Sequence, residues 1–310
     1  MTLQISMRQL QSIGEIGRTG KIVTAARRLG VTPPAITLQL KQLEQEIGLP
    51  LFDRTASGML PTAAGLAALQ AAQSIEARLH LLADELDAIK GIRRGRLRLG
   101  VVSTAKYFAP RIMADFTRQF PDIDMTLAVG NRAEIIEAMA EHAIDMALMG
   151  RPPRDFPVRA AVFGDHPLII VAPPEHPLAG KRAISKQRIA REKFLVREPG
   201  SGTRISLEIF FAEIPGKLDQ IGIEMGSNET IKQAVMAGLG IAFISAHTVA
   251  AEVESRRLVM LDVVGLPIRR QWFTVSRAER SLSPAMQAFA TFLAAKGAQF
   301  LPLLGAPGKP

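Results

Sequence analysis

Apolar residues recur at helical spacing through most of residues 6–90, then give way from residue 96 to short alternating runs separated by helical stretches. Three short helices are expected at the front. Residues 8–18 place Leu10, Ile13 and Ile16 on one side, and residues 22–29 carry Ala25 and Ala26, a small pair that permits close helix crossing. Gly30, Val31 and Thr32 make a turn in which Thr32 caps the next helix and Pro33 takes its first position. That helix, residues 33–47, turns Ile36, Leu40, Leu43 and Ile47 inward and leaves Pro34, Thr37, Leu38, Lys41 and Gln42 on the opposite face. A longer helix follows, in which Ala68, Ala72, Ile75, Leu79, Leu82, Leu86 and Ile89 step by four and three residues. Such a seam buries itself against a partner helix, so dimerisation through Ile75, Leu79, Leu82, Leu86 and Ile89 is expected; a helix lying on its own domain would show a similar stripe.

Residues 90–96 (KGIRRGR) break the periodicity with two glycines and a basic cluster, and read as a solvated hinge. Beyond it, strands at 96–103, 124–129 and 145–149 alternate with helices at 109–120 and 133–141, which predicts parallel strands in a doubly wound α/β sheet. A second alternating block runs over residues 168–261, and residues 271–292 read as a strand followed by an amphipathic helix. The Gly- and Pro-containing tail, 297–310, is expected to fray.

Composition narrows the class. A chain of 310 residues suggests two domains, and 47% hydrophobic residues supply their cores. The net charge of +9 suggests an acidic partner, although residues 1–62 carry seven Lys/Arg against four Asp/Glu and so hold only part of the excess. The absence of cysteine excludes disulfides and thiolate metal sites. The first residues lack a basic region followed by an apolar core, and no stretch approaches eighteen uninterrupted apolar residues, so a cytoplasmic location without membrane contact is expected.

Polar side chains near the start of a helix that follows a tight turn suit the major groove of double-stranded DNA. Thr32, Pro33, Pro34, Thr37, Leu38 and Lys41 are the candidate contacts, with Gln39 positional, and Arg54 and Thr55 in the segment 51–61 are candidates for a wing that touches phosphate or the minor groove. The stretch AARRLGVTPPAITLQLKQLEQEIGLPLFDRT followed by PTAAG resembles the N-terminal domain of the LysR-type transcriptional regulators. Pro33, Leu38 and Ile22 depart from the usual Gln, Arg and Phe of that pattern, so base preference does not carry over from the family. Leu38 suits the methyl group of thymine.

The resemblance implies an all-α winged helix-turn-helix domain (1–62), a linker and dimerisation helix with its hinge (63–95), and an α/β effector domain (96–296) of the two-lobed, periplasmic-binding-protein-like kind. Lobe I is expected over 96–150 and 270–295, lobe II over 163–264, with crossings near 149–153 and 265–270. MGRPP (149–153), REPGSGTR (197–204), SNETIKQAVMAGLGIAFISAHT (227–248), GLPIRRQW (265–272) and LSPAMQAFATFL (282–293) further resemble the regulators of carbon-dioxide-fixation operons, the activators of ribulose-bisphosphate carboxylase and Calvin-cycle genes. That implies a sugar phosphate, phosphoenolpyruvate or a nucleotide as small-molecule effector, a dimer or homotetramer, and an effect on RNA polymerase.

The residues themselves point to an anionic metabolite. Gly200, Ser201, Gly202, Thr203 and Arg204 precede or open a helix, where free N–H groups favour phosphate or carboxylate. Ser103, Thr104 and Ala105 form a second strand-to-helix turn; Asn131 and Arg132 follow the next strand, and Asn228 and Thr230 open a further helix. Arg151 lies at the expected hinge. Simple helix capping is the competing reading, evenly weighed for Asn228 and Thr230. His142, His166, His176 and His247 do not form a metal set; His166 and His176, each before a proline, read as turn residues, and His247 as a residue behind the cleft. No Gly-x-Ser-x-Gly elbow or dinucleotide fingerprint is present, so neither a catalytic site nor a cofactor is expected. A solute-binding protein built on the α/β part is the alternative from another class.

Overall fold

The computed structural model describes residues 3–89, 95–214, 222–279 and 281–303. The chain divides into two compact units, Met1–Leu86 and Asp87–Pro310.

The first unit opens with helices α1 (Met7–Thr19), α2 (Ile22–Leu29) and α3 (Pro33–Ile47). Ser6 and Gln9 cap α1 reciprocally, and Gly30 ends α2 in the left-handed region, which turns the chain sharply into α3. Thr32 occupies the N-cap position of α3, but its side chain makes no capping hydrogen bond; Pro33 at the first position leaves one fewer N–H to satisfy. Leu10, Ile13, Ile16, Ala25, Ala26, Ile36, Leu40 and Leu43 close into one core, with Ile47 half-buried at its edge. Strands β1 (Phe52–Thr55) and β2 (Gly58–Pro61) pair as an antiparallel hairpin, the wing.

Helix α4 (Ala63–Ile89) begins where the Thr62 hydroxyl donates to the Pro50 carbonyl at 2.7 Å and accepts the Gly65 N–H at 3.0 Å. Gly65 is required there, because a Cβ would stand 1.9 Å from the Leu51 carbonyl oxygen. The heptad seam divides. Ala68 and Ala72 pack on the core of their own domain, whereas Ile75, Leu79, Leu82 and Leu86 are 42–49% exposed. The side chain of Ile89 and the basic hinge, residues 90–94, lie outside the described residues.

The second unit contains β3 (Gly95–Val102), α5 (Ala109–Gln119), β4 (Ile123–Gly130), α6 (Arg132–Ala140) and β5 (Met146–Met149), then the long β6 (Val158–Ala172). It continues with α7 (Lys186–Ile189), β7 (Phe194–Arg197), α8 (Gly202–Phe210), β8 (Ile223–Met225), α9 (Asn228–Met236), β9 (Ile241–Ser245), α10 (Ala250–Glu254), β10 (Val259–Met260), β11 (Ile268–Arg277) and α11 (Pro284–Lys296). The strands join in the order β4-β3-β5-β11-β6-β9-β7-β8, with β10 beside β6. Strand–helix–strand repeats give parallel pairs, β3 with β4 and β5, and β7 with β8 and β9. The two long strands β6 and β11 run antiparallel to each other and carry the sheet through both lobes.

Phe163 of β6 belongs to the core of lobe I and Leu168 to that of lobe II. The first crossing therefore falls at 164–167, opposite Trp272–Arg269, and not near 149–153. Residues 158–162, expected in neither lobe, pair with β11 inside lobe I, and Phe163, expected in lobe II, sits at a register shift with its side chain in the core of lobe I. In lobe II the sheet is covered on both faces: Leu168 and Ile170 pack into one cluster and Ile169 and Val171 into another, as the two-residue strand period requires. The tail does not fray at 297, because a 3-10 turn over Gly297–Phe300 places Phe300 and Leu301 against the core of lobe I; residues 304–310 lie outside the described set. Among the described residues, no helix is long and apolar enough to cross a membrane.

Candidate functional site

In the first unit, α3 holds its apolar side in the core and presents Thr32, Pro33, Pro34, Leu38 and Lys41 to solvent, with Leu38 57% exposed. An exposed leucine of this kind, on an otherwise polar helix face, is a ready apolar contact. Thr37 is half-buried and donates its hydroxyl to the Pro33 carbonyl one turn back, at 3.1 Å, which leaves its lone pairs and methyl group available. Gln39 lies on another side and is tied to the Ser12 hydroxyl of α1, so it positions the helix. On the wing, Arg54 is exposed, and the Thr55 hydroxyl closes the hairpin turn by donating to the Gly58 carbonyl at 2.9 Å.

In the second unit, the carboxyl ends of β3, β5 and β7 and the crossing strands enclose a narrow cleft, partly open to solvent. Of the residues singled out by sequence, Ser103, Thr104, Asn131, Arg132, Arg151, Ser201, Gly202 and Thr203 line it. Helix α8 starts at the cleft with Ser201 as N-cap and no side-chain cap, so its first N–H groups face the opening. Asn131 serves both readings: it lines the cleft and caps α6 through a reciprocal pair with Glu134.

The remaining candidates are elsewhere. Ala105 is fully buried in the turn after β3, and Gly200, at φ 83°, fits closely against Ala133 of the other lobe. Arg204 points away from the cleft and pairs with Glu208 at 3.1 Å and Glu224 at 2.5 Å. Asn228 is fully buried and accepts from Arg197 at 2.6 Å. Thr230 shares a hydrogen bond with Ser227, the residue that caps α9. Arg204, Asn228 and Thr230 serve the frame, because each finds a partner inside the protein before it reaches the opening.

Sequence reasoning missed His166, Arg270 and Ser206, which also line the cleft. His166 and Arg270 are cross-strand partners on β6 and β11, so their side chains share one face of the crossing ribbon. His166 is no turn residue. It is 6% exposed and stacks on Trp272 with ring centroids 3.9 Å apart, and Trp272 donates its indole N–H to His247 Nδ1 at 3.0 Å. Arg197 was missed too; it spans the lobes, donating to the Ser103 hydroxyl at 3.1 Å while pairing with Glu198 at 2.6 Å.

The cleft is electrostatically one-sided. Arg132, Arg151 and Arg270 line it, and no carboxylate does among the described residues. Burial, and then repulsion by Arg151, holds the Arg270 guanidinium below its ordinary value; Arg132 is lowered by burial, with Arg151 and Arg270 adding to it against Asp155. Arg132 is steered by the backbone carbonyls of Arg151 and Pro152. Burial, with His247 and Arg270 facing it, pushes His166 down to about 3, and burial pushes His247 down to about 4 against the pull of Asp165. Uncapped N–H groups, hydroxyls and mutually repelling cations make this lining complementary to negative charge.

Comparison with known proteins agrees with both halves. Residues 7–66 match the bacterial regulatory helix-turn-helix protein, lysR family, and residues 90–298 match the LysR substrate binding domain. The chain is 61% identical over 303 residues to the HTH-type transcriptional regulator CbbR of Rhizobium meliloti, covering 98% of this chain and 97% of that one. It is 43% identical to the RuBisCO operon transcriptional regulator of Allochromatium vinosum, over 98% of this chain and all of the relative (100%). The solved regulatory domain of Synechocystis CcmR in complex with 2-PG is 37% identical, with a TM-score of 0.61, over 65% of this chain and 97% of that domain. A reading helix set on a three-helix core and a two-lobed α/β domain with matching sequence place this chain in the LysR family of bacterial helix-turn-helix transcriptional regulators, and it is a regulator rather than an enzyme.

Proposed function

We propose that this protein is a cytoplasmic, metabolite-responsive regulator of carbon-dioxide-fixation genes. It reads operator DNA with α3 and the wing, and it binds a phosphorylated or carboxylated metabolite in the cleft of the second unit. The names of the relatives from Rhizobium meliloti and Allochromatium vinosum support the target. The observation that carries the effector reading is the set of three guanidinium groups beside the uncapped start of α8, with no lining carboxylate among the described residues. The 2-PG complex of the Synechocystis domain supports a small phosphorylated acid as the ligand.

Residues 1–62 act as the DNA-binding domain, 63–95 as linker and dimerisation helix, and 96–296 as effector domain. The exposed seam of Ile75, Leu79, Leu82 and Leu86 buries itself against the same helix of a second copy, which sets the separation of two half-sites. Two such dimers form a tetramer, and the ligand favours one arrangement of it by binding the two arrangements unequally, which alters the bend in the DNA and the recruitment of RNA polymerase.

Two substitutions separate the roles. Thr37→Ala is expected to weaken binding to operator DNA relative to random DNA at fixed salt while 2-phosphoglycolate binding persists. Thr203→Ala is expected to weaken 2-phosphoglycolate binding and leave ligand-free operator binding in place. Equal losses of both activities in both variants would refute the division.

A further inference from the structure

His166 is packed on one face and along one edge, yet neither of its ring nitrogens has a hydrogen-bond partner among the described residues. Its ring stacks on Trp272, itself anchored to His247, and its Nδ1 edge faces Gly150, where a Cβ would come within 2.5 Å of Nδ1. Trp272 covers one face of the ring and Gly150 lies close to its Nδ1 edge. Both ring nitrogens are buried and without a hydrogen-bond partner among the described residues, and the residue lines the cleft. A buried donor and a buried acceptor left open in a rigid ring are unfavourable until something polar arrives.

The surroundings decide what that is. Arg270 faces the ring from β11, His247 from the 3-10 turn Ala246–Thr248, and Arg151 lines the same cleft from the loop after β5. Burial and these neighbours keep the ring neutral: with its value at about 3, the neutral form exceeds the protonated form by about 10⁴ at pH 7. A neutral imidazole offers one N–H and one lone pair, whereas guanidinium groups offer donors alone. A ligand made only of phosphate and carboxylate oxygens satisfies the arginines, but where it meets the imidazole lone pair it sets lone pair against lone pair. A hydroxyl group donates to that nitrogen and accepts from a neighbouring donor.

We propose that His166 is a specificity-determining contact that selects, among anions fitting the cleft, those with a hydroxyl group near the charged group. This rests on the anion-binding reading of the cleft. It goes further by fixing which part of the ligand the protein discriminates, and with which side chain.

Calorimetric titration of the full chain tests it with two matched pairs: 3-phosphoglycerate against 3-phosphonooxypropanoate, and glycerol 3-phosphate against 3-hydroxypropyl phosphate. In at least one pair, the member with the extra hydroxyl is expected to bind about tenfold tighter or more. His166→Phe, which keeps the stack on Trp272 but has neither N–H nor lone pair, erases that preference and leaves the deoxy member within about threefold of its original affinity. His166→Gln, with a donor and an acceptor, restores part of it. Should the Phe variant fail to fold by thermal melting, His166→Met takes its place. Absence of discrimination in the original protein, its survival in the Phe variant, or an equal loss for both members overturns the proposal. 2-Phosphoglycolate serves as the control: if it and all four paired ligands fail to bind, the anion-binding reading itself falls.

Discussion

Replacing Arg270 with Gln has opposite expected effects on the empty and the filled protein. Arg270 is half-buried on β11, where burial and the charge of Arg151 both lower its guanidinium from the ordinary value. A base lowered in the folded state destabilises the fold wherever it is charged both folded and unfolded, which for arginine covers every ordinary pH. The substitution removes that penalty. Because the group is also half-exposed, solvent screening limits the gain to under about 1 kcal/mol, a rise in Tm of up to about 3 °C for a unit of this size. With the anion in place the sign reverses. Loss of one charge-assisted hydrogen bond costs about 1.5–3 kcal/mol, which weakens Kd by about 10- to 150-fold. Scanning calorimetry without ligand and titration calorimetry with 2-phosphoglycolate read the two effects separately. A lowered Tm together with unchanged affinity would refute the view of Arg270 as a strained cation awaiting an anion.

Three further outcomes follow from the packing. His166 and His247, held at about 3 and about 4, stay neutral in the fold while unfolded histidine takes a proton near pH 6.5, so their stabilisation is complete above that pH and declines as pH falls through it. Denaturation at pH 7 and pH 5 should show a loss of about 2 kcal/mol for each, and His166→Phe should remove one share; an unaltered pH slope would contradict it. Leu79→Asp with Leu82→Asp, on the exposed seam, should shift the chain toward monomer in sedimentation analysis, and an unchanged mass would exclude the seam as the dimer contact. Gly65→Ala should cost about 3 kcal/mol in a urea melt, because its Cβ meets a backbone oxygen at 1.9 Å that cannot swing aside; a loss below about 1 kcal/mol would contradict that packing.

The front of the chain was legible because its signals are local. Pro33 at a helix start, the Ala25–Ala26 pair and the spacing of Ile36, Leu40 and Leu43 each act within a few residues, and each falls in the core or turn assigned to it. The long helix held two readings, and its residues divide between them: Ala72 lies on its own domain while Leu79 and Leu82 stand open. In the α/β part, turns at strand ends revealed Ser103, Ser201 and Thr203, because strand-to-helix turns announce themselves locally. Arg204 and Asn228 misled for the opposite reason. Glu224 and Arg197, which hold them, come from separate strands, although Glu208, the second partner of Arg204, lies one turn along its own helix. His166 was hidden by Pro167, which suggested a turn, and only the register of β6 against β11 sets the histidine beside Arg270.

An anion bound in the second unit is expected to change how the first unit grips DNA. Hydroxyl-radical footprinting on the DNA upstream of the neighbouring genes, with and without 2-phosphoglycolate at concentrations that calorimetry shows to fill the cleft, tests this most directly. Protection is expected to change in extent or phase when the ligand is present, and to stay fixed in Thr203→Ala. A footprint that keeps its shape while the cleft is full would contradict the coupling.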